Sequence, residues 1–185
     1  QGIDLGRLSP HLTGVGGLTS SFTVNGKEIA FDGRFSLENS TVSFALTKTP
    51  LLFEHLSAKM AGALKMGSGT ISITDLAYRG VLFAAEISLQ KYEPRAVFLS
   101  SGLIDITDVK EHMDLDSLIG PTVDISSIGD EGKVRIEKIS VEAGGSVTGS
   151  LELKGLSYRY DTIPFHTISG GLRFDEKRVI LGPLT

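Results

Sequence analysis

One pattern constrains this chain more than any other: apolar-x-Gly-x-apolar-x-apolar, a four-residue polar break, then apolar-x-apolar. "MAGALKM-GSGT-ISITDL", Met60 to Leu76, aligns without a gap on "ISGGLRF-DEKR-VILGPL", Ile168 to Leu184. Met60 matches Ile168, Leu64 matches Leu172 and Met66 matches Phe174; after the break Ile71 matches Val179 and Ile73 matches Leu181. A third copy spans 147–160, with Val147, Gly149, Leu151 and Leu153, then Tyr158 and Tyr160. A fourth spans 31–44, with Phe31, Gly33, Phe35 and Leu37, then Val42 and Phe44. A weaker half-copy surrounds Gly102, Ile104 and Ile106. Alternation with a period of two puts the apolar members on one face of a strand. A fixed internal pattern predicts a repeated hairpin unit.

Glycine weakens a strand and marks a bulge, a bend or a close approach. Its recurrence at one place predicts glycines lined up across neighbouring strands, so that the sheet folds along a single crease. The alternative is that each glycine relieves local crowding.

The rest of the chain reads as strands around turns. "LTSSFTVNGKEIAFDGRFSL" is a hairpin about Asn25-Gly26. Further strands are predicted at 71–78, 81–91, 95–106, 133–142, 146–154, 156–161, 166–174 and 178–181, with turns at Glu38-Asn39-Ser40, Tyr92-Glu93-Pro94, Ala143-Gly144-Gly145 and Asp175-Glu176-Lys177. "DVKEHMDLDSLIGP" predicts a short helix over 108–119, within an insertion at 107–132. Asp108 would cap it with Glu111, Met113, Leu118 and Ile119 would form its apolar face, and Gly120-Pro121 would stop it. "PLLFEHLSAKMAG" reads as a loop leading into a strand rather than a helix.

Composition limits the partners. With 41% hydrophobic and 22% charged residues the chain has material for a core. A net charge of −4 without a basic run argues against nucleic acid. No cysteine is present, which excludes disulfides, thiolate metal sites and cysteine catalysis. "GGSVTGS" fails as a nucleophile elbow and "TGVGG" as a phosphate loop, and both read as turns. His11, His55, His112 and His166 stand apart without metal-ligand spacing. Asp105, Asp108, Asp114 and Asp116 lack a calcium-loop pattern and read as capping and solvated groups. The expectation is therefore no enzyme, no metal and no cofactor.

The glycine-phased hairpins, with "YRYDTIPF" before the last copy and the "LSAKMAGAL" and "LIDITDV" stretches, resemble the AsmA-like superfamily of Gram-negative envelope proteins. The resemblance extends from about Gly16 onward and is interrupted at 107–132. It implies a periplasmic protein anchored in the inner membrane by a segment outside this chain. It further implies an antiparallel sheet bent into a U-shaped apolar groove that conducts phospholipid or supports outer-membrane assembly, with no catalytic residues.

Physical reasoning reaches a similar place. A sheet with one apolar face must cover it, and too little helix is present to do so. The sheet must then fold on itself or shelter apolar ligands, and the whole chain, 1–185, is expected to be all-β and mainly antiparallel; the resemblance implies that it is one β-rich segment of a longer protein. The alternative is a closed β-sandwich. The residues expected to line the groove for phospholipid are Phe31, Phe35, Leu37, Val42, Phe44, Met60, Leu64, Met66, Ile71, Ile73, Leu151, Leu153, Ile168, Leu172, Phe174, Val179 and Leu181. A second functional reading is a structural or protein-binding module that acts by strand-edge pairing, with self-association or other envelope proteins as partners.

Overall fold

The computed structural model describes residues 3–4, 12–42, 47–115, 124–175 and 178–185. Within them the protein is all-β and mainly antiparallel, with one short α-helix. Its contacts group into two compact units: unit 1 comprises Gln1–Ala45 with Pro50–Leu99, and unit 2 comprises Leu46–Thr49 with Ser100–Thr185.

Unit 1 is a meander. After the two-residue strand β1 (Ile3–Asp4) come β2 (Leu12–Asn25), β3 (Glu28–Val42), β4 (Leu51–Lys65), β5 (Ser68–Tyr78), β6 (Val81–Gln90) and β7 (Glu93–Ser101), each beside its predecessor in the chain. Cross-strand pairing aligns Phe22 with Phe31 and Leu18 with Phe35, then Phe31 with Gly62, Gly33 with Met60 and Leu37 with Leu56. Met60 lies opposite Ile73, Gly62 opposite Ile71, and Ile71 opposite Ile87. Because directly opposed residues project from the same face, these side chains form one apolar face. Thr19, Asp32, Arg34, Lys59, Ser72 and Glu86 fall on the other.

Alternation is not kept to the strand ends. Phe53 and Leu56 are both buried on β4 while Glu54 and His55 between them are exposed. Asn39 on the facing strand holds a left-handed φ of 45°. This irregularity changes the phase, so that Phe53 joins Leu37 and Leu56 in one cluster with Leu51, Leu76 and Tyr78 against it. Each such side chain, fully buried, contributes about 1.5–3 kcal/mol.

Unit 2 contains β8 (Leu103–Asp105), helix α1 (Ile106–His112), β9 (Lys133–Glu142), β10 (Val147–Tyr160), β11 (Ile163–Asp175) and β12 (Arg178–Leu184). The strand order is β9-β10-β11-β12, with β8 also paired to β9. Rows run across the sheet: Ile136, Leu151, Leu172 and Leu181 form one, and Ile139, Gly149, Phe174 and Val179 another.

Several sequence expectations are corrected. The 60–76 and 168–184 copies are hairpins, but the 147–160 copy is a single long strand, and so is the 31–44 copy as far as Val42, where the described part of β3 ends. Glu38-Asn39-Ser40 is an irregularity within β3. "KGLS" is a bulged stretch of β10, where Gly155 takes a φ of 62°. "TGVGG" lies within β2, and "PLLFEHL" enters β4 directly. The first hairpin turns at Gly26-Lys27, since Asn25 and Glu28 still pair. The turn expected at Tyr92-Glu93-Pro94 falls at Lys91-Tyr92, and the one between β4 and β5 is the two-residue Met66-Gly67.

The helix starts before the expected 108–119 and its described turns end at His112. Asp105, not Asp108, occupies the N-cap position, without a side-chain capping bond, and Asp108 sits in the first turn. Leu118, Ile119, Gly120, Pro121, Glu176 and Lys177 lie outside the described residues.

The repeated glycines do not form a crease. Gly33 pairs with Met60 while Gly62 pairs with Phe31, two positions out of line. Their role is local. A Cβ at Gly62 would stand 2.7 Å from Phe31 Cζ, and one at Gly149 2.5 Å from Phe174 Cζ. Each of these two glycines leaves room for an aromatic ring from the strand opposite, so relief of crowding is the correct reading.

Candidate functional site

Unit 2 holds an apolar concavity of about 310 Å³. Its floor is the sheet: Val134, Ile136 and Ile139 from β9, Leu151, Leu153 and Leu156 from β10, Ile168 and Leu172 from β11, and Leu181 and Leu184 from β12. Ile106, Val109, Met113 and Leu115 from the helical segment, together with Ile128, complete the lining. Helix α1 covers sheet because Ile106 and Val109, one turn apart, are both buried beneath it. Ser157 and Tyr158 supply the lining's side-chain hydroxyls. Leu181 and Leu184 line the cavity yet remain 54% and 45% exposed, so it opens to solvent beside β12.

Strand irregularities shape this floor. On β9 one extra residue stands between Ile136 and Lys138, so Ile136 and Ile139 both reach the cavity despite an odd spacing. On β10 the shifts between Leu153, Leu156 and Tyr158 turn all three inward.

Of the residues expected to line a groove, Leu151, Leu153, Ile168, Leu172 and Leu181 meet at this cavity. Phe174 is buried over Gly149 in the same sheet, and Val179 is its cross-strand neighbour. Phe31, Phe35, Leu37, Met60, Leu64, Ile71 and Ile73 share the apolar face of unit 1 instead. Met66 is displaced from that face, as it forms the turn after β4 and is 64% exposed. Val42 pairs with Leu51 at the end of β3, and Phe44 lies outside the described residues. Sequence reasoning missed the β9 and helix residues. The "VRIEKI" run carried the β9 signal, obscured by the extra residue.

The polar groups make local pairs. Lys59 Nζ approaches Asp75 Oδ2 at 2.7 Å, and its hydrogen bond and positive charge hold the Asp75 carboxyl below the usual carboxylate range. His55 Nδ1 contacts Glu38 Oε1. Asp108, Glu111 and His112 bring one ligand atom each within 4.8 Å of one another. Their i, i+3, i+4 spacing on a helix was the readable signal. All three already make polar or electrostatic interactions within the fold.

Comparison with protein-family models, curated proteins and solved structures finds no match to this chain.

Proposed function

We propose that this chain shelters a phospholipid acyl chain, as a non-enzymatic segment of a periplasmic protein serving the outer membrane. The observation that carries this reading is the apolar concavity of unit 2, open at Leu181 and Leu184. Cavities that enclose whole small ligands run from about 300 to 1,000 Å³. One of about 310 Å³ suits a single acyl chain, with the headgroup left in water. The resemblance to AsmA-like proteins supports the same reading and supplies its finer form, an apolar face bent into a groove.

Purified protein is expected to carry phospholipid, detected by mass spectrometry of organic extracts at levels above a control protein. Leu181→Asp should lower that lipid content without changing the melting temperature, because a carboxylate at this half-exposed position stays hydrated. Lipid no higher than in the control would overturn the proposal.

A second reading rests on the β12 edge. Among the described residues no strand pairs with the far side of β12, whose Ile180 and Leu181 are each 54% exposed. An uncovered edge is a template for another strand. Light scattering should then show concentration-dependent dimers that Ile180→Lys prevents. A monomer at every concentration would remove this reading.

A further inference from the structure

The concavity of unit 2 has two unlike ends. Along β10 its lining runs from Leu151, in one row with Ile136, Leu172 and Leu181, to Ser157 and Tyr158. From Leu151 to Tyr158 is about 20 Å at the rise of a strand. A volume of about 310 Å³ holds about ten methylenes, at about 30 Å³ each, the share of one molecule in liquid water. Ten methylenes drawn out over that length fill a slot one chain wide. A second chain has no room beside the first, and neither has a cis bend.

The Leu151 end is aliphatic, and the other end is polar. Ser157 and Tyr158 supply its side-chain hydroxyls. Phe165, directly opposite Tyr158, is 46% exposed, so this end reaches solvent as well. Gly129 N donates to Ser157 O, and Ile128 bridges to Tyr158, so both residues are held from one side. Beside them, Lys110 Nζ donates to the Ile128 carbonyl oxygen at 2.8 Å and to Asp130 Oδ1 at 2.7 Å. The Asp130 carboxylate thus matches the Lys110 charge. Arg159, next along β10, falls on the opposite face, where it pairs with Pro164. Hydroxyl donors without net charge are what this end offers.

These two ends set the direction and the class of an occupant. A chain terminus laid against Ser157 and Tyr158 would strip two hydroxyls of water and return no hydrogen bond. A free carboxylate would bring a charge that the Lys110–Asp130 pair does not match. An ester carbonyl accepts from a hydroxyl and stays neutral.

We propose that the concavity is a slot for one straight, saturated acyl ester. Its carbonyl accepts from Ser157 or Tyr158, and its chain runs along β10 towards Leu151 and Leu181. This rests on the acyl-chain reading and narrows it to one chain, of one shape and in one direction.

The test is isothermal titration of the intact chain with three single-chain phosphocholine lipids below their micelle concentrations. These carry a dodecanoyl ester, a cis-5-dodecenoyl ester, and a dodecyl ether that lacks the carbonyl. The dodecanoyl ester should bind at least about tenfold tighter than the bent ester, since two methylenes left outside the slot cost about fourfold each. It should bind about threefold to tenfold tighter than the ether, the worth of one neutral hydrogen bond. That second difference should vanish in the variant Ser157→Ala, Tyr158→Phe, whose melting temperature is measured alongside; the comparison of lipids on the parent needs no variant. Equal affinities for straight and bent chains overturn the slot and leave the acyl-chain reading standing. Equal affinities for ester and ether overturn it in the same way. If none of the three binds, the acyl-chain reading itself has failed, and the slot falls with it.

Discussion

Replacing Leu172 with Asp is expected to unfold unit 2. Leu172 is 7% exposed and stands between Leu151 and Leu181 in a single row across the sheet. A carboxylate there has no cation to pair with in that row. Its burial costs several kcal/mol, against a total of about 5–15 kcal/mol for a typical domain. The same change at Leu64, half-buried on the face of unit 1, leaves the charge access to water and should cost much less. Urea titration followed by circular dichroism would compare the variants. A Leu172→Asp protein as stable as the parent would mean that this row faces solvent.

Gly149→Val is the second large effect. The added Cβ would lie 2.5 Å from Phe174 Cζ and 2.9 Å from the Lys138 carbonyl oxygen. Phe174 is only 4% exposed and has little room to retreat. Overpacking of this kind costs about 1–3 kcal/mol, and each kcal/mol lowers the melting temperature of a unit this size by about 4–8 °C. Phe174→Leu in the same chain should recover part of the loss, because the two sites share a contact. Gly171→Ala is the control, as nothing lies within 4 Å of a Cβ there. Equal melting temperatures for Gly149→Val and Gly171→Ala would refute the ring-over-glycine account.

The strands were readable because period-two alternation reports the apolar face directly. Met60, Leu64, Ile71 and Ile73 share a face as their spacing requires. Places where a strand slips phase were not readable. "ENST" and "KGLS" have the composition of turns, yet pairing with the next strand resumes beyond each of them, so β3 and β10 run on without reversing. Polar, turn-favouring residues thus mark irregular backbone without saying whether the chain reverses or merely bulges. Met66 failed for a related reason: local alternation continues to it, but a two-residue turn takes it off the strand. The cavity was half legible. Leu151 and Leu153 of β10 and the β11 and β12 residues follow the repeat, whereas Leu156 and Ile139 come after odd spacings and the helical lining depends on which face of α1 meets the sheet.

The meander of unit 1 has a consequence for how the chain reaches its folded state. From β2 to β7 every strand pairs with the strand before it, so each pairing closes only a short loop. Loop-closure entropy is then paid in small increments, and local pairings of this kind favour rapid folding for a β-protein. A nascent chain could zip these hairpins in order as each one emerges. Unit 2 has a different requirement, since β8 must find β9 across the segment carrying α1. Stopped-flow measurements on the intact chain should therefore resolve an early phase from unit 1 and a slower one that Ile104→Ala or Val134→Ala retards.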